Sequence, residues 1–411
     1  MKNKIHYRWI VLLIFVSSQL VLSIAGYGWG ALAPFLKKLM SLNSTQIGSI
    51  GSIFYFAAAL SALPSGMLVD LYGVKKGLIG WLGITSVPLL LLSIFKPIFP
   101  IFIILAAISG LGYGIGNPVC SKGLFLWFDQ NIRGLVFGIK QSAVTVGAAV
   151  SGILLVYLAD KVGPFNALGI IGLAISVMTI LSLIYYHDPI HPENISNNTT
   201  ALKRGKFLSE FGELFANKPF FYLSLIMALL GLAQGVVISF LILYATEKLG
   251  YSLLEAGSLL TLVMISGAVG RILWGFISDR LYGARRKPVL IIISTLAVLT
   301  ITALAVWDVT WPKWLLIPVL MGLGLSTAGW NSVALVLVTE ISTESRTGTS
   351  VGLASTIAWF GLASGPIAFG SIIDHFGYFY AWRAMAFFCI FSLILCFLLP
   401  INEAVNNVTG D

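Results

Sequence analysis

The stretch Gly66-Met67-Leu68-Val69-Asp70-Leu71-Tyr72-Gly73-Val74-Lys75-Lys76 returns later in the chain as Gly275-Phe276-Ile277-Ser278-Asp279-Arg280-Leu281-Tyr282-Gly283-Ala284-Arg285-Arg286-Lys287. Asp70 and Asp279 stand 209 positions apart, and at the same offset Gln46-Ile47-Gly48-Ser49 matches Glu255-Ala256-Gly257-Ser258. Arg133-Gly134 with Gly138 is answered by Arg346-Thr347-Gly348 with Gly352. The chain is therefore a duplication, and each long motif closes an apolar run.

Of the 411 residues, 58% are hydrophobic and 10% charged; an ordinary soluble domain carries about 25% charge. This composition excludes a soluble enzyme, a disordered chain and a disulfide-built scaffold. Twelve runs reach the ~20 apolar residues that a bilayer-crossing helix needs. They fall near 9–35, 44–68, 77–95, 98–127, 134–158, 164–186, 219–245, 253–277, 288–307, 314–339, 347–373 and 379–400. A lone apolar segment must satisfy its backbone internally, which favours helix. Continuous rather than alternating apolarity excludes a β-barrel. The first run is uncharged from residue 9 to 36, too long for a signal peptide, and reads as a retained helix.

The expected fold is an all-α polytopic membrane protein with twelve transmembrane helices in two pseudo-symmetric six-helix bundles. Residues 1–186 form the first bundle and 219–411 the second. Residues 187–218 are a cytoplasmic linker, with a short amphipathic surface helix expected over 210–218. With the N-terminus inside, fifteen Lys and Arg fall on the inner side and seven on the outer. The inner set includes Lys75, Lys76, Arg133, Arg280, Arg285, Arg286 and Arg346. That bias places both termini in the cytoplasm, most simply at an inner or plasma membrane. The net charge of +9 is thus a topology signal, and no nucleic-acid partner is expected. The bilayer and a small molecule are the expected partners of a monomer. Cys120, Cys389 and Cys396 lie inside apolar runs without metal-ligand spacing, so neither a metal nor a cofactor is expected.

The paired Gly-x-x-x-Asp motifs, the twelve runs and the central loop resemble the major facilitator superfamily along the whole chain. The resemblance implies transport by alternating access, with substrate held between the halves. It also implies a gate at the motif loops, built from Asp70, Lys75, Lys76, Arg133, Asp279, Arg280, Arg285, Arg286 and Arg346. The first copy has Leu71 and Val74 where the family commonly has basic residues, which implies a weaker charge network there.

All sixteen acids lie in loops, at termini or at span ends, and no His sits in a span. A proton-coupled carrier usually needs an ionisable relay near the midplane. Cations do enter: Lys140 lies ~9 Å inward of the centre of span five, and Arg271 ~12 Å above the inner loop in span eight. Such charges need a partner or water. A bound anion would supply it, bidentate on Arg271 and as a point charge on Lys140. The competing reading is snorkelling or hydrogen bonds to backbone carbonyls. Gly270-Arg271-Ile272-Leu273-Trp274-Gly275 resembles the oxalate and monocarboxylate carriers, which have a substrate-contacting Arg in this span. Those carriers have a second cation in span eleven, where 347–373 contains none, so Lys140 would stand in. Lys122-Gly123-Leu124-Phe125-Leu126-Trp127-Phe128 with Arg133 is similar to sugar-acid and organic-anion symporters. At the places of their deeper Arg and Glu this chain has Ala106 and Tyr113, and Lys122 itself reads as a snorkelling residue.

Further candidate ligand contacts are Tyr27 within Gly26-Tyr27-Gly28-Trp29-Gly30, Gln141, Gln234, Trp330, Asn331 and Trp359. Each has a packing or interhelical alternative. The expected function is a secondary or facilitative carrier of a small organic anion, most simply a carboxylate, working as antiporter or uniporter and not as an enzyme. The alternatives are a neutral-solute or drug carrier and a transport-dead membrane sensor.

Overall fold

The computed structural model describes residues 2–189, 214–308, 310–342 and 347–401. Residues 214–216 of the expected surface helix are helical, while its residues 210–213 and most of the linker 187–218 lie outside the described residues. Arg346 also lies outside them, as do the side chains of Asp70 and Arg133.

Helices account for every span. Span one is Lys2–Tyr27 continued by Trp29–Leu39, span two Ser44–Tyr72, span three Val74–Phe95 and span four Phe99–Gly114 continued by Gly116–Trp127. Span five is Gln130–Val162 and span six Pro164–Tyr185. The second half holds span seven (Lys218–Glu247), eight (Leu253–Arg280) and nine (Arg286–Ala305). Span ten is Leu316–Thr327 continued by Asn331–Glu340; spans eleven and twelve are Thr347–Phe376 and Tyr378–Leu398. Eleven spans among the described residues are long and apolar enough to cross a membrane; Ser44–Tyr72, with 29 residues, completes the twelve. The helices overrun the apolar runs because hydrogen bonding of the backbone continues where side chains become polar.

The duplication is visible in local chemistry. Asn43 caps span two in a capping box with Gln46, and Ser252 caps span eight in a capping box with Glu255. Each cap occupies the equivalent position of its half and satisfies two otherwise orphaned backbone groups. The turns before spans six and twelve are both made by a glycine at positive φ, Gly163 at 84° and Gly377 at 83°, a conformation that side chains resist.

Span two packs along span eleven, span five along span eight, and span one against span seven. These are the seams between the halves, and small residues make them close. A Cβ added at Gly257 would overlap the Gly152 carbonyl, and one at Gly48 the Pro366 carbonyl. We expect Gly257→Val to force spans five and eight apart at a cost of about 1–3 kcal/mol. A lowered thermal unfolding midpoint of the purified protein would show it, and an unchanged midpoint would contradict the packing.

Described polar contacts between the halves run from mid-depth to the end opposite the chain termini. Lys37 Nζ meets Glu247 Oε1 at 2.8 Å, and Glu247 also accepts from the Tyr378 hydroxyl at 2.9 Å. Asp374 accepts from Ser44 N at 2.8 Å, Thr45 N at 2.7 Å and Thr45 Oγ1 at 2.6 Å. Ile367 N donates to Ser52 Oγ, and Thr261 Oγ1 to the Ala149 carbonyl.

At the terminus-bearing end the described polar contacts stay within one half. Arg8 pairs with Asp129, Lys75 N donates to the Asp188 carboxylate, and Lys287 Nζ donates to the Leu399 carbonyl. Arg286 joins Ser278, Asp279 and Glu340. The second motif therefore carries a three-residue ionic cluster. Arg280 and Arg285 are exposed beside it, and Lys76 lies over the Tyr72 ring.

Candidate functional site

Three spans break near mid-depth, all in glycine-rich stretches: span one at Gly28, span four at Ile115 and span ten over 328–330. A broken helix leaves carbonyls without their usual N–H partners, and its C-terminal end attracts cations. Span ten uses both properties. The Ala328 carbonyl accepts Arg271 Nε at 3.1 Å, and the Leu325 carbonyl accepts Trp274 Nε1 at 2.8 Å. The expected alternative for Arg271, a bond to backbone, thus describes one edge of its guanidinium.

The guanidinium also lies close to the Tyr27 phenol of the opposite half. Helical side chains lean toward their own N-terminus. Spans one and eight run antiparallel, so Tyr27 and Arg271 lean toward each other. Around them stand Tyr113 of span four, Tyr55 of span two and Trp359 of span eleven. The Trp359 ring lies 6.1 Å from Tyr113 and 6.5 Å from Tyr55, centroid to centroid. Tyr55 donates its hydroxyl to the Gly26 carbonyl at 2.8 Å. Gly26 lets the Tyr113 ring lie against span one; a Cβ there would come within 2.8 Å of the ring. Three spans of each half thus meet around one cation beside aromatic rings.

Lys140 forms a second locus. It is 4% exposed, and its Nζ donates to Asn117 Oδ1 at 2.8 Å, two residues past the break in span four. Cys120 is close by. Among the described residues, no carboxylate lies against Lys140 or Arg271. Gly152 meets Gly257 and Ala149 meets Thr261 across antiparallel spans five and eight. Continued along the helices, that register sets the backbone of Lys140 opposite Val269 and Gly270, next to Arg271. Lys122 donates to the Val69 carbonyl at 3.0 Å near the end of span two.

The remaining candidates are placed less tightly. Trp330 and Asn331 flank the break in span ten; Trp330 is fully buried with its Nε1 lacking a hydrogen-bond partner, and Asn331 is half-buried. Gln234 is buried on span seven, and Gln141 is exposed beside Lys140. The structure thus brings Tyr27, Arg271 and Trp359 together, with Lys140 held separately on Asn117. Tyr55, Tyr113 and Asn117 were not among the sequence candidates. For Tyr113 and Asn117 a signal existed: they lie in or beside the run Gly110, Gly112, Gly114, Gly116, where the helix breaks.

The sequence model of the Major Facilitator Superfamily matches residues 17–336 and, in a second match, 223–409. A "probable hexose phosphate transport protein" of Chlamydia trachomatis serovar D is 23% identical over 88% of this chain and 84% of its own length. A "probable sulfoacetate transporter" of Cupriavidus necator is 24% identical over 69% and 67%. The "membrane sensor protein UhpC" of Salmonella typhimurium is 24% identical over 90% and 87%. Among solved structures, a bacterial homolog of the human lysosomal transporter Spinster, inward-facing and unoccupied, superposes with TM-score 0.82 at 16% identity. That match covers 96% of this chain and 97% of the other. The nucleoside transporter NupG superposes with TM-score 0.75 at 18% identity, over 94% and 97%.

Proposed function

This chain belongs to the Major Facilitator Superfamily, and from that premise we propose that it carries a small organic anion, most simply a carboxylate, by alternating access. One observation carries the reading: Arg271 and Lys140 are cations within spans of opposite halves, and among the described residues no carboxylate lies against either. A charge held in a bilayer-spanning bundle needs a counter-charge or water. An anion entering between the halves supplies it, taking the free edge of Arg271 as a bidentate pair. Two relatives whose names specify anionic cargo, sulfoacetate and hexose phosphate, support the class.

The gating assignment follows the same frame. With the termini in the cytoplasm, the contacts Lys37–Glu247 and Asp374–Ser44/Thr45 close the outer side, as expected of an inward-facing carrier. Asp279, Arg280, Arg285, Arg286 and Arg346 with Asp70, Lys75, Lys76 and Arg133 form the surfaces that meet when the inner side closes. Closure along the span five and eight register moves Lys140 toward Arg271. At ~8 Å and an effective dielectric of about 20, two like charges repel by about 2 kcal/mol. Bound anion offsets that repulsion, so the loaded carrier returns more readily than the empty one and exchange outpaces net flux. We expect Lys140→Gln to raise net efflux relative to exchange by up to about 30-fold, the rate equivalent of that repulsion. Proteoliposome flux with and without external anion measures the ratio, and an unchanged ratio would remove Lys140 from the coupling.

The similarity to a membrane sensor favours one second reading, in which ligand binds without flux. Counterflow of labelled carboxylates into proteoliposomes separates the two. Uptake abolished by Arg271→Gln supports the carrier, binding without uptake supports the sensor, and uptake of neutral solutes alone refutes both.

A further inference from the structure

We infer that a groove on the lipid-facing side of the seam between spans five and eight seats one acyl chain of an outer-leaflet phospholipid. This goes beyond the cargo reading and does not depend on which anion is carried.

The groove has a volume of about 650 Å³ and takes its walls from both halves. Its origin is the glycine contact already described. Gly152 and Gly257 bring the two backbones together, and beside them Ala149, Thr261 and Ala268 are too small to fill the furrow. Val146, Val150, Ile265 and Val269 stand exposed along its rim.

Three features name the occupant. The first is chemistry. Both threonine hydroxyls of the lining donate to carbonyls of the chain, Thr261 to Ala149 at 2.7 Å and Thr145 to Ser142 at 2.9 Å. Neither has a proton left to give a polar guest, and an ordered water needs two to four polar partners. Apart from Tyr157, the other lining side chains are hydrocarbon.

The second feature is depth. Thr145 lies near the centre of the apolar run 134–158 and Tyr157 at its outer end. At 1.5 Å per residue the groove between them is ~18 Å long, against ~15 Å for one leaflet of a ~30 Å hydrocarbon core. It matches an acyl chain reaching from one interface to the midplane, whereas a helix crossing the whole bilayer would overrun it. The third feature is charge at the mouth. Tyr157 sits where tyrosines favour the membrane interface, and Lys161 follows one turn later on the same face. Lys161 is exposed, and its contact with Asp160 is a long 3.6 Å, which leaves ammonium donors for a headgroup phosphate. A chain seated here touches both halves, so it adds dispersion contacts to the closed outer side that are lost when spans five and eight part.

The test is photolabelling of the purified full-length protein in detergent micelles with a phospholipid that carries a diazirine midway along one acyl chain. Peptide mass spectrometry maps the crosslinks. Leu173, Val177 and Ile180, a similarly exposed face of span six alone, serve as reference. We expect saturable labelling of Val146, Val150, Ile265 and Val269 about fivefold above the reference, the preference that one lysine near a phosphate supplies. Lys161→Gln should lower that ratio, and Ala268→Phe, which fills the furrow, should bring it to the reference level. The wild-type ratio decides even if Ala268→Phe fails to fold. Equal labelling of both faces would reduce the groove to ordinary solvation by lipid and overturn the inference, as would crosslinks joining two copies of the chain in place of lipid. A ratio indifferent to Lys161→Gln would remove the headgroup contact and with it the phospholipid. A protein that binds no carboxylate yet labels as expected would sink the cargo reading and leave this one standing.

Discussion

Arg271→Gln is expected to abolish anion binding and flux while leaving the folded protein intact. In the structure the guanidinium is held on the Ala328 carbonyl of span ten and lies close to the Tyr27 phenol of span one. Glutamine can restore one hydrogen bond to that carbonyl but brings neither charge nor fork. Removing one partner of a buried, hydrogen-bonded charge pair costs about 2–5 kcal/mol, or roughly 30- to several-thousand-fold in Kd. Arg271→Lys should fall between, because it keeps the charge and loses the bidentate geometry. Titration of wild type and both variants with one carboxylate checks the order. Glutamine binding as tightly as wild type would remove Arg271 from the site.

The second large effect is expected at the other end of the molecule. Asp374 ends span eleven and accepts three hydrogen bonds from the first two residues of span two, across the halves. An anionic side chain at a helix N-terminus meets both orphaned N–H donors and the positive end of the helix dipole. Asp374→Ala removes the acceptor and the charge together. The group is exposed, so solvent screens part of the interaction; about 1–2 kcal/mol remains, a shift of roughly five- to thirtyfold between conformations. Spin labels at Lys96 and Trp314, exposed positions on opposite halves, would report it as a growing population of long distances. The native cysteines need not be removed, because Cys120, Cys389 and Cys396 are all buried. An unchanged distance distribution would show that the ion pair Lys37–Glu247 and the glycine seams hold this end without Asp374.

These two expectations divide along what the sequence makes legible. The twelve spans follow from apolar length alone, and the pairing of halves follows from the offset between Asp70 and Asp279. The capping boxes at Asn43 and Ser252 are the same repeat seen at atomic scale. Arg271 stands out because a cation in an apolar run is costly, a property visible without coordinates.

The aromatic surroundings of Arg271 are a different matter. Tyr55 lies in a run with Phe54 and Phe56, where nothing in composition separates a site residue from packing. Its role depends on which helices converge, a long-range property. The backbone breaks at Gly28, Ile115 and 328–330 lie where glycines cluster, but glycine in a membrane helix signals close packing as readily as a break. The Asp374 contact with span two joins residues 329 and 330 positions apart, beyond the reach of any local pattern. The glycine run points to the neighbourhood of Asn117, but its pairing with Lys140 depends on the antiparallel packing of spans four and five.

The central claim is that charge selects the ligand at Arg271. Matched carboxylate and amide pairs of the same shape, such as benzoate with benzamide and propionate with propionamide, test it by calorimetric titration of the purified protein at neutral pH. Binding of at least one carboxylate, with its amide about 100-fold weaker and the difference lost in Arg271→Gln, is the predicted result. Amides binding as tightly as their carboxylates, or a charge preference untouched by that substitution, would contradict it.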